Sequence, residues 1–494
     1  MNLRIAGLGL LLGCLLVADA SAKDYYLTIG GGYAPSGNQA SLERNVMFFQ
    51  RILGEPTNEQ FQHDIYFSDG QEGGADLQVM DRESVPKANR LMAEFFGSRR
   101  NLGLQYRNHE INEVKYGTDP ENIERWFKEV GGQMQAGDRL CLYVTAHGNR
   151  SSDKNDPYNT TIATWNRTSI KMKELVGLLD ELDPGVMVVT IMVQCHSGGF
   201  SHFIYDEGDP DKGLSTQKRV GFFATVHDRP AAGCTPEVNE ADYAEYSSFF
   251  WAAVAGVDRL GQPIDIPDYN DDGVVSFDEA HAYTLLTADT IDLPIKTSGE
   301  FLRQCSKFSD DVKDSEVELL SKTESYDTIL ELASPFEKAV LEGLSDQLEL
   351  TGSDRLQQVN KQLGSRRNQS RSRGRPADTE RSRLQREIRG DLLKRWPALA
   401  NTLNPIATEL LTERSEEFIE RIEDHPKYAK YRELSDQKQL SSTEKRVKYE
   451  RFMRTAYNVI RAENLRRLND ADKVAQYESL MQAESQTLGL TDQL

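Results

Sequence analysis

From residue 24 onward the chain alternates short apolar runs with segments of helical apolar spacing. Tyr25-Tyr26-Leu27-Thr28-Ile29 is the first run, a predicted strand that enters the loop Gly30 to Asn38. Leu42, Val46, Met47, Phe49 and Ile52 then share one side of a predicted helix. His63 to Phe67 reads as a second strand, and Ala88 to Phe96 as a helix within a passage rich in Gly, Asp and Asn. Thr118, with Pro120 and Glu121 behind it, predicts a capping box and the start of a further helix. Leu140 to Ala146 and Val188 to Val193 are continuous runs of apolar and β-branched residues, the pattern of strands buried on both faces. Between them lie a polar excursion, Asn149 to Asn166, and a helix begun by Thr168; Val220 to Val226 and 239–255 read as the next strand and helix. Strands alternating with helices predict an α/β fold, a mostly parallel sheet flanked by helices.

Beyond about residue 310 the strand pattern stops, and charged residues surround helically spaced apolar ones. Phe418, Ile419 and Ile422, then Phe452, Met453, Ala456, Tyr457 and Ile460, mark amphipathic helices, and Ser441 with Glu444 offers a second capping box. Ser365 to Arg375 (SRRNQSRSRGR) is a basic, polar break without apolar period, read as a solvated linker. The expected organisation is a leader at 1–22, an α/β domain at 23–305, a helical extension at 306–364, a linker at 365–376 and a helical C-terminal region at 377–494.

The leader changes the compartment. Arg4, the apolar run Ile5 to Val17 and Ala20-Ser21-Ala22 have the layout of a secretion signal, so the mature chain is expected to be secreted or periplasmic. Leu11-Leu12-Gly13-Cys14 is a rival lipoprotein-type anchor. No other segment approaches the ~20 apolar residues of a membrane helix. The 494 residues exceed one ordinary core, and a net charge of −20 argues against a nucleic-acid partner. Four cysteines remain after the leader (Cys141, Cys195, Cys234, Cys305), too few for a disulfide framework, although Cys234 and Cys305 are a possible pair.

Two strand ends carry the candidate chemistry. The first apolar run delivers His147-Gly148 and the second delivers Gln194-Cys195-His196-Ser197-Gly198-Gly199, forty-eight residues on. The carboxyl ends of strands in an open α/β sheet are where ligands bind. A cysteine and a histidine brought to one edge form a nucleophile and acid/base pair. His196, next to the cysteine, is expected to point away, and Ser197 and Gly198 to form the turn. Amides of Gly148 and Cys195 are candidate donors for a tetrahedral oxyanion.

The paired strand-His-Gly and strand-Cys blocks resemble the caspase-like cysteine peptidases, among them the legumains and metacaspases. Cys195-His196-Ser197-Gly198 is similar to the metacaspase nucleophile turn, while the N-terminal layout is more legumain-like. The resemblance spans roughly residues 24–290. It implies a caspase-like sheet, His147 and Cys195 as the dyad, and a peptide or protein substrate. The specificity positions depart from both families. Val193 stands where metacaspases carry an acid, and Ser36-Gly37-Asn38-Gln39-Ala40 lacks the legumain arginine. His227, Asp228 and Arg229 are pocket candidates by position. A legumain-like transpeptidase and an inactive calcium-binding scaffold are the competing readings.

A second motif stands apart from the dyad. Asp268 to Glu279 (DYNDDGVVSFDE) fills the twelve-residue EF-hand calcium template, with oxygen donors at Asp268, Asn270, Asp272, Ser276 and Glu279, the Val274 carbonyl, and Gly273 at the sharp turn. A following helix is expected; Pro263 and Pro267 preclude a preceding one.

Overall fold

The computed structural model describes residues 22–54, 61–312, 317–366, 376–436 and 441–489. The leader, with Cys14, and almost all of the basic linker lie outside the described residues. The strands are β1 (Asp24–Gly31), β2 (Phe61–Phe67), β3 (Leu77–Met80), β4 (Leu104–Arg107), β5 (Val114–Tyr116), β6 (Arg139–Asn149), β7 (Thr161–Thr164), β8 (Thr168–Lys171), β9 (Met187–Met192), β10 (Arg219–Phe223) and β11 (Ile295–Lys296). The main sheet runs β11-β10-β9-β6-β1-β2-β5, with a β7-β8 ribbon attached to β6. From β10 across to β5 every neighbouring pair is parallel; β11 joins β10, and β7 joins β6, antiparallel.

The helices in chain order are α1 (Ala40–Leu53), α2 (Lys87–Phe96), α3 (Pro120–Glu129), α4 (Met172–Asp180), α5 (Tyr246–Ala255), α6 (Phe277–Thr287), α7 (Thr297–Cys305), α8 (Tyr326–Leu332), α9 (Pro335–Gln347), α10 (Arg355–Arg366), α11 (Pro376–Arg395), α12 (Pro405–Leu411), α13 (Ser415–Glu423), α14 (Tyr428–Asp436), α15 (Ser442–Arg467) and α16 (Ala471–Glu484). The molecule is thus α/β, a mostly parallel sheet flanked by helices with a helical C-terminal region. Leu140, Leu142 and Val144 of β6 and Val188, Val189, Ile191 and Met192 of β9 are at most 1% exposed, which is why both strands read as unbroken apolar runs. Phe49 of α1 and Trp251 of α5 stack against each other over Tyr143 of β6.

The C-terminal helices are not a separate body. Ala462, Leu465, Tyr477, Leu480, Ala483 and Leu488 belong to the same buried cluster as the sheet. Behind α16 the chain is strapped to the sheet's other end: the Tyr26 hydroxyl donates to the Leu488 carbonyl (3.0 Å) and Arg139 to that of Thr487 (2.7 Å). Helices α11 to α14 instead pack on α2, around Leu91, Phe95, Leu392 and Phe418.

Local expectations failed in three places. Thr118 does not cap α3: Asp119 is the N-cap, and the Thr118 hydroxyl bonds the Ser68 carbonyl and accepts from Trp165 N–H. Thr168 begins β8, not a helix, because the alternating Thr161-to-Lys171 stretch forms an antiparallel ribbon before α4 starts at Met172. The helix expected over 239–255 is only α5, preceded by a single short turn at Glu240–Asp242. The Ser441/Glu444 capping box is formed, as are boxes at Ser276/Glu279 and Ser334/Glu337.

Candidate active site

Adjacent parallel strands deliver His147 and Cys195. The β6–β9 ladder pairs Val144 with Met192, and the Val193 amide still donates to the Val144 carbonyl. His147 and Cys195 each lie three residues past that last pair. Gly148 closes the approach: a Cβ there would stand 2.1 Å from the Cys195 carbonyl oxygen, 2.7 Å from Gln194 Cγ and 3.0 Å from the Thr161 carbonyl. The structure requires a glycine here to admit the Cys195 carbonyl.

His147 is oriented by the loop after β1. Its Nε2 lies 2.8 Å from the Gly37 carbonyl and 2.9 Å from Gln39 Oε1. A carbonyl only accepts, so Nε2 carries the proton, and the neutral ring keeps its lone pair on Nδ1. Tyr33 meets the ring edge-on at 5.3 Å. Burial holds the imidazole below its usual pKa of 6.5, with the Gly37 carbonyl opposing. The His147 side chain therefore rests as neutral imidazole.

Cys195 is partly exposed, and its sulfur accepts from the Ala231 amide at 3.3 Å. Burial pushes the thiol above its usual pKa, and Asp292 nearby adds to this; the Ala231 N–H works the other way. An amide from the segment after β10 thus joins the cysteine's own N–H at the sulfur. No hydrogen bond joins His147 to Cys195 among the described residues.

His196 is held by two backbone contacts. It takes a left-handed backbone (φ 62°), and its Nδ1 donates to the His227 carbonyl at 3.0 Å. Its own amide bonds the Arg229 carbonyl (2.9 Å). Ser197 is buried, with its hydroxyl on Thr225, as a turn residue should be. His227 and Arg229 meet the Cys195 turn through their carbonyls; the Asp228 carbonyl takes Arg150, and the Arg229 guanidinium pairs with Glu450 of α15. His227 stacks on Tyr158, which stacks on His202.

Four groups at this site escaped sequence reasoning: the Gly37 carbonyl, Gln39, the Ala231 amide and Asp292. Two are backbone atoms, which carry no residue signature. Asp292 is 1% exposed; its Oδ1 accepts from the Ala232 amide at 2.6 Å, while Oδ2 has no partner. Burial pushes its carboxyl up to about 6.

The calcium-template loop lies apart from this site. Asp268 accepts from the Asp272 and Gly273 amides, Asn270 from Asp272, and Asp272 from Val274, around a turn with Asp271 and Gly273 at positive φ. Gly273 supplies the sharp bend of this turn. Glu279 is 1% exposed, and its oxygens accept from the Tyr269, Asn270 and Ser276 amides as the α6 capping box. Among the described residues no three His, Cys, Asp or Glu side chains converge as a metal-ligand group. The expected following helix is α6, and no helix precedes the loop after Gly256.

Cys141, Cys195, Cys234 and Cys305 are all free thiols, so Cys234 and Cys305 are not paired. No described helix is long and apolar enough to cross a membrane. No protein-family profile and no curated protein matches this sequence. Among solved structures the chain is similar to a protein from Geobacter sulfurreducens, at 11% identity over 56% of this chain and 92% of the other, with a TM-score of 0.31.

Proposed function

We propose that this protein is a secreted or periplasmic cysteine endopeptidase of the caspase-like type, with Cys195 as nucleophile and His147 as acid/base. The observation that carries this is the seating of Gly148 against the Cys195 carbonyl, which juxtaposes the ends of two parallel strands bearing a histidine and a cysteine. Both groups rest neutral, so His147 Nδ1 takes the thiol proton as the sulfur attacks the peptide carbonyl carbon. The S–C bond forms and the carbonyl π bond opens, with amides at Gly148 and Cys195 as donors to the oxyanion. Collapse breaks the C–N bond, and the imidazolium returns its proton to the leaving amine. Water, deprotonated by the same ring, then hydrolyses the thioester.

Calcium belongs to the same proposal. The loop's oxygen-rich turn stands immediately before α6, and the segment after α6 carries Asp292 beside the site. An ion held by Asp268, Asn270, Asp272, Ser276, Glu279 and the Val274 carbonyl would relieve repulsion among the clustered carboxylates.

Hydrolysis of a denatured protein substrate or a peptide library tests the dyad. Cys195→Ala and His147→Ala should each abolish cleavage, while His196→Ala keeps a substantial fraction. An active His147→Ala beside a dead His196→Ala would overturn the assignment.

A further inference from the structure

The nucleophile's surroundings depend on a helix some 250 residues away in sequence. Residues 229–232 lie along the Cys195 turn: the Arg229 carbonyl takes the His196 amide, and the Ala231 amide faces the sulfur at 3.3 Å. Two tethers hold this segment from behind. Arg229 pairs with Glu450, and the Ala232 amide bonds Asp292 Oδ1 at 2.6 Å. Asp292 is itself held by Arg451, whose Nε and Nη2 both donate to its carbonyl at 2.9 and 2.8 Å. Successive helical residues diverge by about 100°, so neighbours on α15 reach two separate anchors.

Arg451 has little reason to be there for stability alone. It is 0% exposed and forms no ion pair within 4 Å among the described residues. Its remaining donors go to the Leu285 and Ala288 carbonyls and the Thr290 hydroxyl, all on the segment leading to Asp292. A buried cation facing neutral acceptors is costly, whereas an apolar side chain of similar volume would fill the space without that desolvation. What the guanidinium supplies is a fixed shape for residues 285–292.

We propose that Glu450 and Arg451 are positioning residues for the nucleophile: α15 holds the 229–232 segment so that the Ala231 amide stays on the Cys195 sulfur. Its consequence for hydrolysis rests on the peptidase reading above, but the effect on the thiol does not. The titratable and charged groups around the thiol are His147 from β6, His196 of its own turn, Arg229 and Cys234 of the covering segment, and Asp292. An N–H on the sulfur favours the thiolate, so displacing that amide while the segment still covers the thiol should make Cys195 less reactive.

The test is the rate of Cys195 alkylation by iodoacetamide in the full chain, followed by peptide mass spectrometry from pH 6 to 9. Glu450→Gln should shift the rate profile up by about half a unit, a roughly threefold slowing at pH 7. Arg451→Lys, which cannot bridge these four acceptors, should slow it about tenfold, a one-unit shift. Arg466→Gln, exposed on the same helix, should leave the profile in place. Melting curves check folding; if Arg451→Lys fails to fold, Glu450→Gln alone decides. A folded Glu450→Gln with the parent profile overturns the proposal. A shifted profile in a protein without peptide hydrolysis sustains the positioning role and rejects the peptidase instead.

Discussion

Substituting Gly148 by alanine is the sharpest perturbation of this site. The new Cβ would stand 2.1 Å from one carbonyl oxygen and 3.0 Å from another, with Gln194 Cγ at 2.7 Å. Ordinary contact with the Cys195 oxygen needs roughly 1 Å more, and neither the oxygen nor the β6 backbone is a side-chain end that can swing away. Overpacking of this kind costs about 1–3 kcal/mol. At no more than about 2–4 °C per kcal/mol in a chain this long, melting should fall by at most about 12 °C. Catalysis should suffer far more, because the displacement falls between His147 and Cys195. Misplacing reacting groups by about 1 Å costs on the order of 10²-fold. The assay is kcat/KM on a peptide that the parent cleaves, beside a melting curve and the Cys195→Ala control. A Gly148→Ala protein with near-parent kcat/KM would refute the claim that these strand ends form the catalytic geometry.

Millimolar calcium should raise the melting temperature, with stabilisation of about 1.4 kcal/mol at tenfold saturation, and Glu279→Gln should blunt the rise. An unchanged parent would mean that the loop is a turn and not a calcium site. Trypsin is expected to cut within Ser365–Arg375, yet the fragments should co-elute in native size exclusion because α15 and α16 pack into the sheet's core; separate elution contradicts that packing. Burial holds His63 and His202 at about 4, against an ordinary value of 6.5. The unfolded chain therefore binds more protons between these values, and stability should fall as pH drops from 6.5 towards 4, by about 3 kcal/mol per histidine. Denaturant titrations at pH 7 and 4.5 measure this, and His63→Gln with His202→Gln should flatten the loss. A double variant as acid-sensitive as the parent would place the titration elsewhere.

Hydrophobic periodicity by itself determined the central architecture. β1, α1, β2, α2, β6 and β9 all form where their patterns lie, because strands buried on both faces must be continuously apolar and covering helices must carry one apolar side. The same pattern, ending abruptly at His147-Gly148 and at Cys195, singled out the two strand ends. Tertiary structure decided everything that depends on backbone groups or on residues distant in sequence. The Thr118 hydroxyl had a better use than its cap, bridging Ser68 and Trp165. The proton on His147 is set by the Gly37 carbonyl, and the amide at Cys195 comes from Ala231. Glu450 and Arg451 sit in a helix whose pattern announced only amphipathicity, yet they reach the segments on either side of the site. Periodicity reports whether a residue faces a core. It is silent on which polar partner waits there, because a carbonyl oxygen is the same whatever residue bears it and its position is fixed only when the chain closes on itself.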